Sequence, residues 1–151
     1  MITFRKAEIN DQDMLLEWRN HLSIRKSSFN SALIDRETHE QWYQASLNNS
    51  KRIMVIVVKD QTNIGLVRFD LSDVDPVYEI HIYLAPEWQG KNLGLAALLN
   101  AEKWFSQTVE KDTIIIARVK ESNKRSIQMF ESAGYSKTND YYEKTLSGAD
   151  G

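Results

Sequence analysis

The 151-residue chain contains no cysteine, an absence that removes disulfides, thiolate metal sites and a cysteine nucleophile together. Proline is scarce, with only Pro76 and Pro86, and there is no repeat or low-complexity segment. Neither sign of charge dominates. The formal net charge is −2, so no general attraction to nucleic acid or to an acidic membrane is expected. Long apolar runs are missing too, and none of the stretches reaches the length needed to span a bilayer. Met1–Lys6 alternates like a first strand and lacks the apolar core of a secretory leader, so a cytoplasmic location is expected. The length predicts one domain with a core that needs no staples, taken as residues 1–146, followed by a flexible tail at 147–151.

What the chain does have is concentrated near its middle. Residues 78–84 alternate and are rich in Ile and Tyr, which predicts a strand. Pro86 ends the ladder because it has no N–H to donate. A polar loop follows, Gln89-Gly90-Lys91-Asn92-Leu93-Gly94, in which Gly90 and Gly94 let backbone and ligand approach closely. From Gly94 the pattern becomes helical, with Leu95, Leu98, Leu99, Glu102 and Trp104 at turn spacing. The free N–H groups at the start of such a helix suit an anion such as a pyrophosphate. A plain strand-to-helix turn accounts for the glycines equally well. A dinucleotide fold fits less well, since the glycine spacing is wrong and Asp112 precedes the next strand. A P-loop is excluded because no Gly-Lys-Ser/Thr triplet occurs.

The other elements read as follows. Asn10 or Asp11 caps a helix carrying Met14, Leu15 and Trp18 on one face, and a short helical piece covers Ser23–Ser28. Asp35 or Thr38 opens a helix with Trp42, Ala45 and Leu47 inward. Residues 52–58 form a central strand, Asp60–Asn63 turn the chain, and Ile64–Leu71 return. Asp73–Pro76 turns into the motif strand, and Thr113–Val119 is a further strand. Ser122 or Asn123 caps a helix with Ile127, Met129 and Phe130 partly inward, ended by Gly134. Tyr135–Thr138 and Tyr141–Leu146 close a hairpin across Asn139-Asp140. Consecutive strands predict an α+β fold, a mixed and mostly antiparallel central sheet with flanking helices. The helix between the motif strand and residues 113–119 implies a parallel crossover and a crevice where those strands part.

Over most of its length the sequence resembles the GCN5-related N-acetyltransferase superfamily. The resemblance rests on the motif strand with Gln89-x-x-Asn92-x-Gly94, and on Asn123-x-x-Ser126-Ile127-x-x-Phe130-x-x-x-Gly134-Tyr135 further on. It implies the acyl-CoA N-acyltransferase fold and acetyl-CoA as co-substrate, held by Ile82, Tyr83, Leu84, Gln89, Gly90, Lys91, Asn92, Leu93, Gly94, Leu95, Asn123, Ser126 and Phe130. Two positions depart from the family pattern. Asn92 stands at a usual glycine, and Phe130 stands where many members carry a tyrosine that protonates the leaving thiolate. Trp18-Arg19-Asn20-His21, Ile24-Arg25-Lys26 and His39-x-x-Trp42-Tyr43 are similar to members that acetylate nucleotide-linked aminosugars, and ribosomal-protein N-terminal acetyltransferases share much of that pattern.

Side chains at 79, 81 and 83 share one face of the motif strand. Glu79 and His81 are therefore candidates to accept the ammonium proton, and Tyr83 is a candidate acid, against readings as structural groups. The oxyanion is expected on main-chain N–H groups around Ile82–Leu84, where a bulge is expected. Arg19, Arg25, His39 and Trp42 are the candidate acceptor-binding residues, since guanidinium forks suit phosphate and an indole offers a stacking face. Ion pairing and core packing are the competing roles for them. Three scattered histidines without suitably spaced carboxylates give no metal site. The expected function is direct acetyl transfer to a primary amine of a small molecule, read as a nucleotide sugar. Protein N-terminal acetylation and a non-catalytic CoA-binding module are the alternatives. Neither nucleic acid nor membrane is an expected partner, and a homodimer is left open.

Overall fold

A computed structural model describes residues 1–148. The order is β1 (Ile2–Lys6), α1 (Gln12–Asn20), α2 (Leu22–Arg25), α3 (Arg36–Leu47), β2 (Arg52–Lys59), β3 (Thr62–Leu71), β4 (Val77–Leu84), α4 (Gly94–Thr108), β5 (Thr113–Ala117), α5 (Lys124–Ser132), β6 (Ser136–Thr138) and β7 (Tyr141–Leu146). Single 3-10 turns lie at Ile9–Asp11 and Pro86–Trp88. One seven-stranded sheet runs β1-β2-β3-β4-β5-β7-β6. All its pairs are antiparallel except β4 with β5, which the α4 crossover makes parallel. The class is α+β, as the run of consecutive strands predicts.

Each sheet face has its own core. On one face α4 and α5 bury Leu98, Phe105 and Phe130 against Val55, Val67, Phe69 and Ile115, with the Phe69 and Phe105 rings stacked at 4.1 Å. On the other, α1 and α3 bury Leu15, Trp18 and Tyr43 against Met54, Ile56 and Leu66. This double covering explains why the centre of β2 is apolar at every position rather than at alternate ones.

Local chemistry sets most boundaries. Asp35 caps α3 by accepting from the Thr38 N–H at 2.7 Å, and Asn123 caps α5 by accepting from Ser126 at 3.2 Å. Asp11 precedes α1 but does not cap it. Its carboxylate turns back to take Arg5 in two bonds of 2.8 and 2.9 Å and the Glu8 N–H at 2.8 Å. Gly134 ends α5 at φ +96°, and Tyr135 N–H reaches back to the Phe130 carbonyl at 3.0 Å.

Several sequence expectations are corrected. In α3 the buried side chains are His39, Tyr43 and Ser46, while Trp42 and Ala45 are exposed and Leu47 is half-buried. The short helix is α2 at Leu22–Arg25 rather than 23–28, and β5 stops at Ala117 rather than Val119. The register of β4 on β3 runs unbroken from Tyr78 to Leu84, so the expected bulge is absent from that pairing. A shift lies instead on β2 at Val57/Val58. Part of the expected tail is anchored, since Gly148 N–H donates to Asp112 at 2.9 Å. The remainder, 149–151, lies outside the described residues.

Candidate active site

The pairing of β4 with β5 covers only Val77 to Glu79, against Ile114 to Ile116. Beyond Glu79, β4 runs on to Leu84 while β5 turns away, so the sheet opens along its middle. The Ala85 N–H is bonded to the Ile64 carbonyl of β3 at 2.7 Å. By strand alternation the Tyr83 N–H also faces β3, whereas those of Ile82 and Leu84 face the vacated side. Two of the three expected main-chain positions thus offer donors to the split. The Tyr83 N–H does not.

The loop after β4 is shaped for a close ligand. Gly90 and Asn92 adopt φ of +74° and +60°, so the asparagine takes the left-handed backbone expected of a glycine. The Gln89 side chain donates to the Leu84 carbonyl at 3.0 Å, tying the loop to the strand end. α4 begins without a side-chain cap, which leaves its first N–H groups open for an anion, as a pyrophosphate requires. Gly94 packs its bare Cα toward α5, where an added Cβ would stand 3.2 Å from Met129 Sδ. Lys91 and Leu95 are exposed, and Leu93 is half-buried. Asn123 and Ser126 form the capped start of α5. Phe130 is buried edge-on to Tyr135 at 5.0 Å and brings no hydroxyl to the crevice.

On the α1/α3 face lies a cavity of about 300 Å³ whose lining includes Arg19, His39, Trp42, Leu66, Arg68 and Tyr83. Three of the four expected acceptor residues therefore share one cavity. Arg25 is not among its lining residues and donates instead to the Ser31 carbonyl at 3.0 Å. Arg19 gives one nitrogen to the Asn30 carbonyl at 2.7 Å, while its Nη1 is buried without a partner. His39 stacks on Tyr43 at 5.8 Å, and its Nδ1 also lacks a partner. Burial and then Arg19 hold the His39 imidazole below its ordinary basicity. Tyr83 meets Trp18 edge-on at 6.3 Å, and burial raises its phenol above the tyrosine range, so it stays protonated.

Beside the cavity, His81 lies opposite Arg68 in the β3–β4 register. Its Nε2 is 3.6 Å from Asp70 Oδ2 and 3.6 Å from Glu79 Oε2. Asp70 is bridged by Arg52 Nε at 2.9 Å and by Arg68 Nε at 3.1 Å, and both guanidiniums lie 5.4 Å from the centre of the Trp42 ring. Glu79 faces Arg118 at 3.6 Å. Burial, then Arg68, lowers His81 to about 4 despite the Asp70 carboxylate. Sequence reasoning missed Arg52, Arg68, Asp70 and Arg118. The available signal was the charged pair Arg68 and Asp70, two apart on one face of an otherwise apolar strand.

Comparison with known proteins adds the following. The family described as an acetyltransferase (GNAT) domain matches residues 1–136. An uncharacterised protein of Methanocaldococcus jannaschii is 29% identical over 143 residues, covering 91% of this chain but 28% of that protein. The chain thus spans just over a quarter of that relative. A solved domain from the same organism has a TM-score of 0.78 at 25% identity, covering 97% of this chain and 98% of that one. Spermidine N-acetyltransferase from Vibrio cholerae, in complex with CoA and spermine, has a TM-score of 0.82 at 18% identity over 99% of this chain and 96% of that one. An aminoglycoside acetyltransferase in complex with coenzyme A has a TM-score of 0.79 at 22% identity over 96% and 95%. These last two show a shared fold.

Proposed function

Since the chain belongs to the GNAT acetyltransferase family, we propose that it is an acetyl-CoA-dependent N-acetyltransferase whose acceptor is the amino group of a nucleotide-linked aminosugar. The observation that carries this reading is the sign of charge in the acceptor cavity. Arg19 and Arg68 both line it, and Arg19 has a buried Nη1 without a partner. The nearby carboxylate of Asp70 is already shared between Arg52 and Arg68. A polyamine or aminoglycoside would bring more positive charge to these guanidiniums. A diphosphate supplies what they lack. Trp42, exposed at the rim beside Arg52 and Arg68, offers a face on which a base can stack.

In this reading acetyl-CoA lies along the β4/β5 split with its pyrophosphate on the 89–94 loop, and its thioester carbonyl meets the Ile82 and Leu84 N–H groups. The acceptor ammonium loses one proton to Glu79 or His81, and the free amine attacks the thioester carbon. The C–N bond forms as the C–S bond breaks. The second amine proton neutralises the departing thiolate through water, because Phe130 has no hydroxyl to supply. No acetyl-enzyme is required, as alignment of the two reactants supplies much of the rate.

The test is to incubate the protein with acetyl-CoA and a panel of aminosugar nucleotides, free aminosugars, polyamines and peptides, following free thiol. Sugar nucleotides should turn over best. Arg19→Ala should raise their KM about ten- to a hundredfold with that for acetyl-CoA unchanged, as expected for a lost charge-assisted contact worth about 1.5–3 kcal/mol. Turnover of peptides alone would hand the assignment to N-terminal acetylation.

A further inference from the structure

His81 occupies an unusual setting for a proton acceptor. Its own strand supplies Glu79, and β3 supplies Arg68 and Asp70. From β2 comes Arg52, which bridges Asp70, and past the end of β5 comes Arg118, which faces Glu79. The Trp42 ring that α3 lays over Arg52 and Arg68 is uncharged. Among the described residues around this imidazole, three guanidiniums therefore stand against two carboxylates. Both carboxylates are also engaged by arginine, so the support they give an imidazolium is divided. The surplus is one positive charge. In agreement, His81 is held at about 4, with burial the first cause and Arg68 the second. An imidazole so weak is neutral at physiological pH, but it is a poor match for a proton from an ammonium group.

Arg68 belongs to two environments at once. It lies across from His81 in the sheet, and it also lines the acceptor cavity, as Arg19 does. A negative charge placed against Arg68 from the cavity side cancels the surplus that His81 experiences. We infer that the anionic group of the acceptor itself raises the basicity of His81, so that the general base becomes effective only when an anionic acceptor sits on Arg68. This rests on the reading that the acceptor is a nucleotide-linked sugar. Arg68 is then a positioning residue that sets the charge around the base, and His81 is the group that takes the proton from the ammonium nitrogen. The coupling is reciprocal. Protonating His81 must tighten anion binding by the same factor by which the anion favours protonation.

Such a device discriminates among acceptors at the proton-transfer step as well as at binding. A neutral or cationic amine that entered the cavity would find His81 still weak. An amine carrying a diphosphate would bring its own activation.

The test is a magnetic-resonance titration of the three histidines, His21, His39 and His81, assigned by single His→Gln substitutions. It is run on the full chain with and without saturating uridine diphosphate. In the free protein His81 should titrate near 4, and the nucleotide should raise its midpoint by about one pH unit or more. Arg68→Gln should raise the midpoint in the free protein and remove the further rise with nucleotide. If uridine diphosphate binds, seen as a shift of the Trp42 indole signal, yet leaves the wild-type His81 midpoint in place, the inference is wrong while the acceptor reading stands. If neither uridine diphosphate nor any sugar nucleotide binds, the acceptor reading fails and the inference falls with it. The wild-type measurement decides the matter even where Arg68→Gln does not fold.

Discussion

At the scale of single residues, Asn92 shows how a departure from a pattern can preserve its geometry. A φ of +60° costs most side chains about 1–2 kcal/mol, and asparagine tolerates it better than most. That much was legible in the sequence. The inward face of α3 was not, because Trp42 is a better core residue than His39 by composition alone. The helix instead turns Trp42 to the rim, where two arginines lie against it, and buries His39 against Tyr43. His81 carries a prediction about stability. Its folded basicity lies below the ordinary value of 6.5, at about 4, so on acidification the unfolded chain takes up the proton first. Its neutral form therefore contributes stability that is present above pH 6.5 and lost as pH falls toward about 4. His39, also held low, acts in the same direction. Urea midpoints measured between pH 7.5 and 4 should fall across that window, and His81→Gln should flatten part of the decline. An unchanged slope in the variant would assign the acid sensitivity elsewhere.

At the scale of elements, the route from β4 through the loop to α4 was legible because three local signals agree there: strand alternation, the loop glycines and the onset of helical spacing. The caps Asp35 and Asn123 and the stop at Gly134 were legible for the same local reason. The opening between β4 and β5 was legible only as a topological expectation. Its extent depends on where β5 ends, and β5 pairs with β7 through Ala117, a partnership set far along the chain. The charged cluster beside the α1/α3 cavity was hidden likewise, since Arg52, Arg68, Asp70 and Arg118 are joined only after β2, β3, β4 and the end of β5 come together. The contact between α4 and α5 gives a test of the co-substrate site. Gly94→Val places a branched side chain against Met129 at the mouth of the loop. It should weaken acetyl-CoA binding at least tenfold by calorimetry, with little change in far-UV circular dichroism. Unaltered affinity in a folded variant would remove the 89–94 loop from the proposed site.

At the scale of the whole molecule, the sheet consists of two unequal halves. Strands β2, β3 and β4 follow one another through short connections, the first being the Asp60-Gln61 turn with both residues at positive φ. Strand β5 reaches β4 only after residues 85–112 have been laid across the sheet, and three residue pairs then hold the join. Closing a long loop costs more chain entropy than closing a short one, and here little pairing is returned for it. The consequence is kinetic. During refolding, the β2–β3 hairpin should acquire its ladder early, and the join between β4 and β5 should form late. Pulsed amide labelling should therefore protect residues 52–71 ahead of 113–117. Simultaneous protection would mean that α4 docks before any strand pairs. The gap proposed to receive the thioester is thus also the line along which the sheet is last to close.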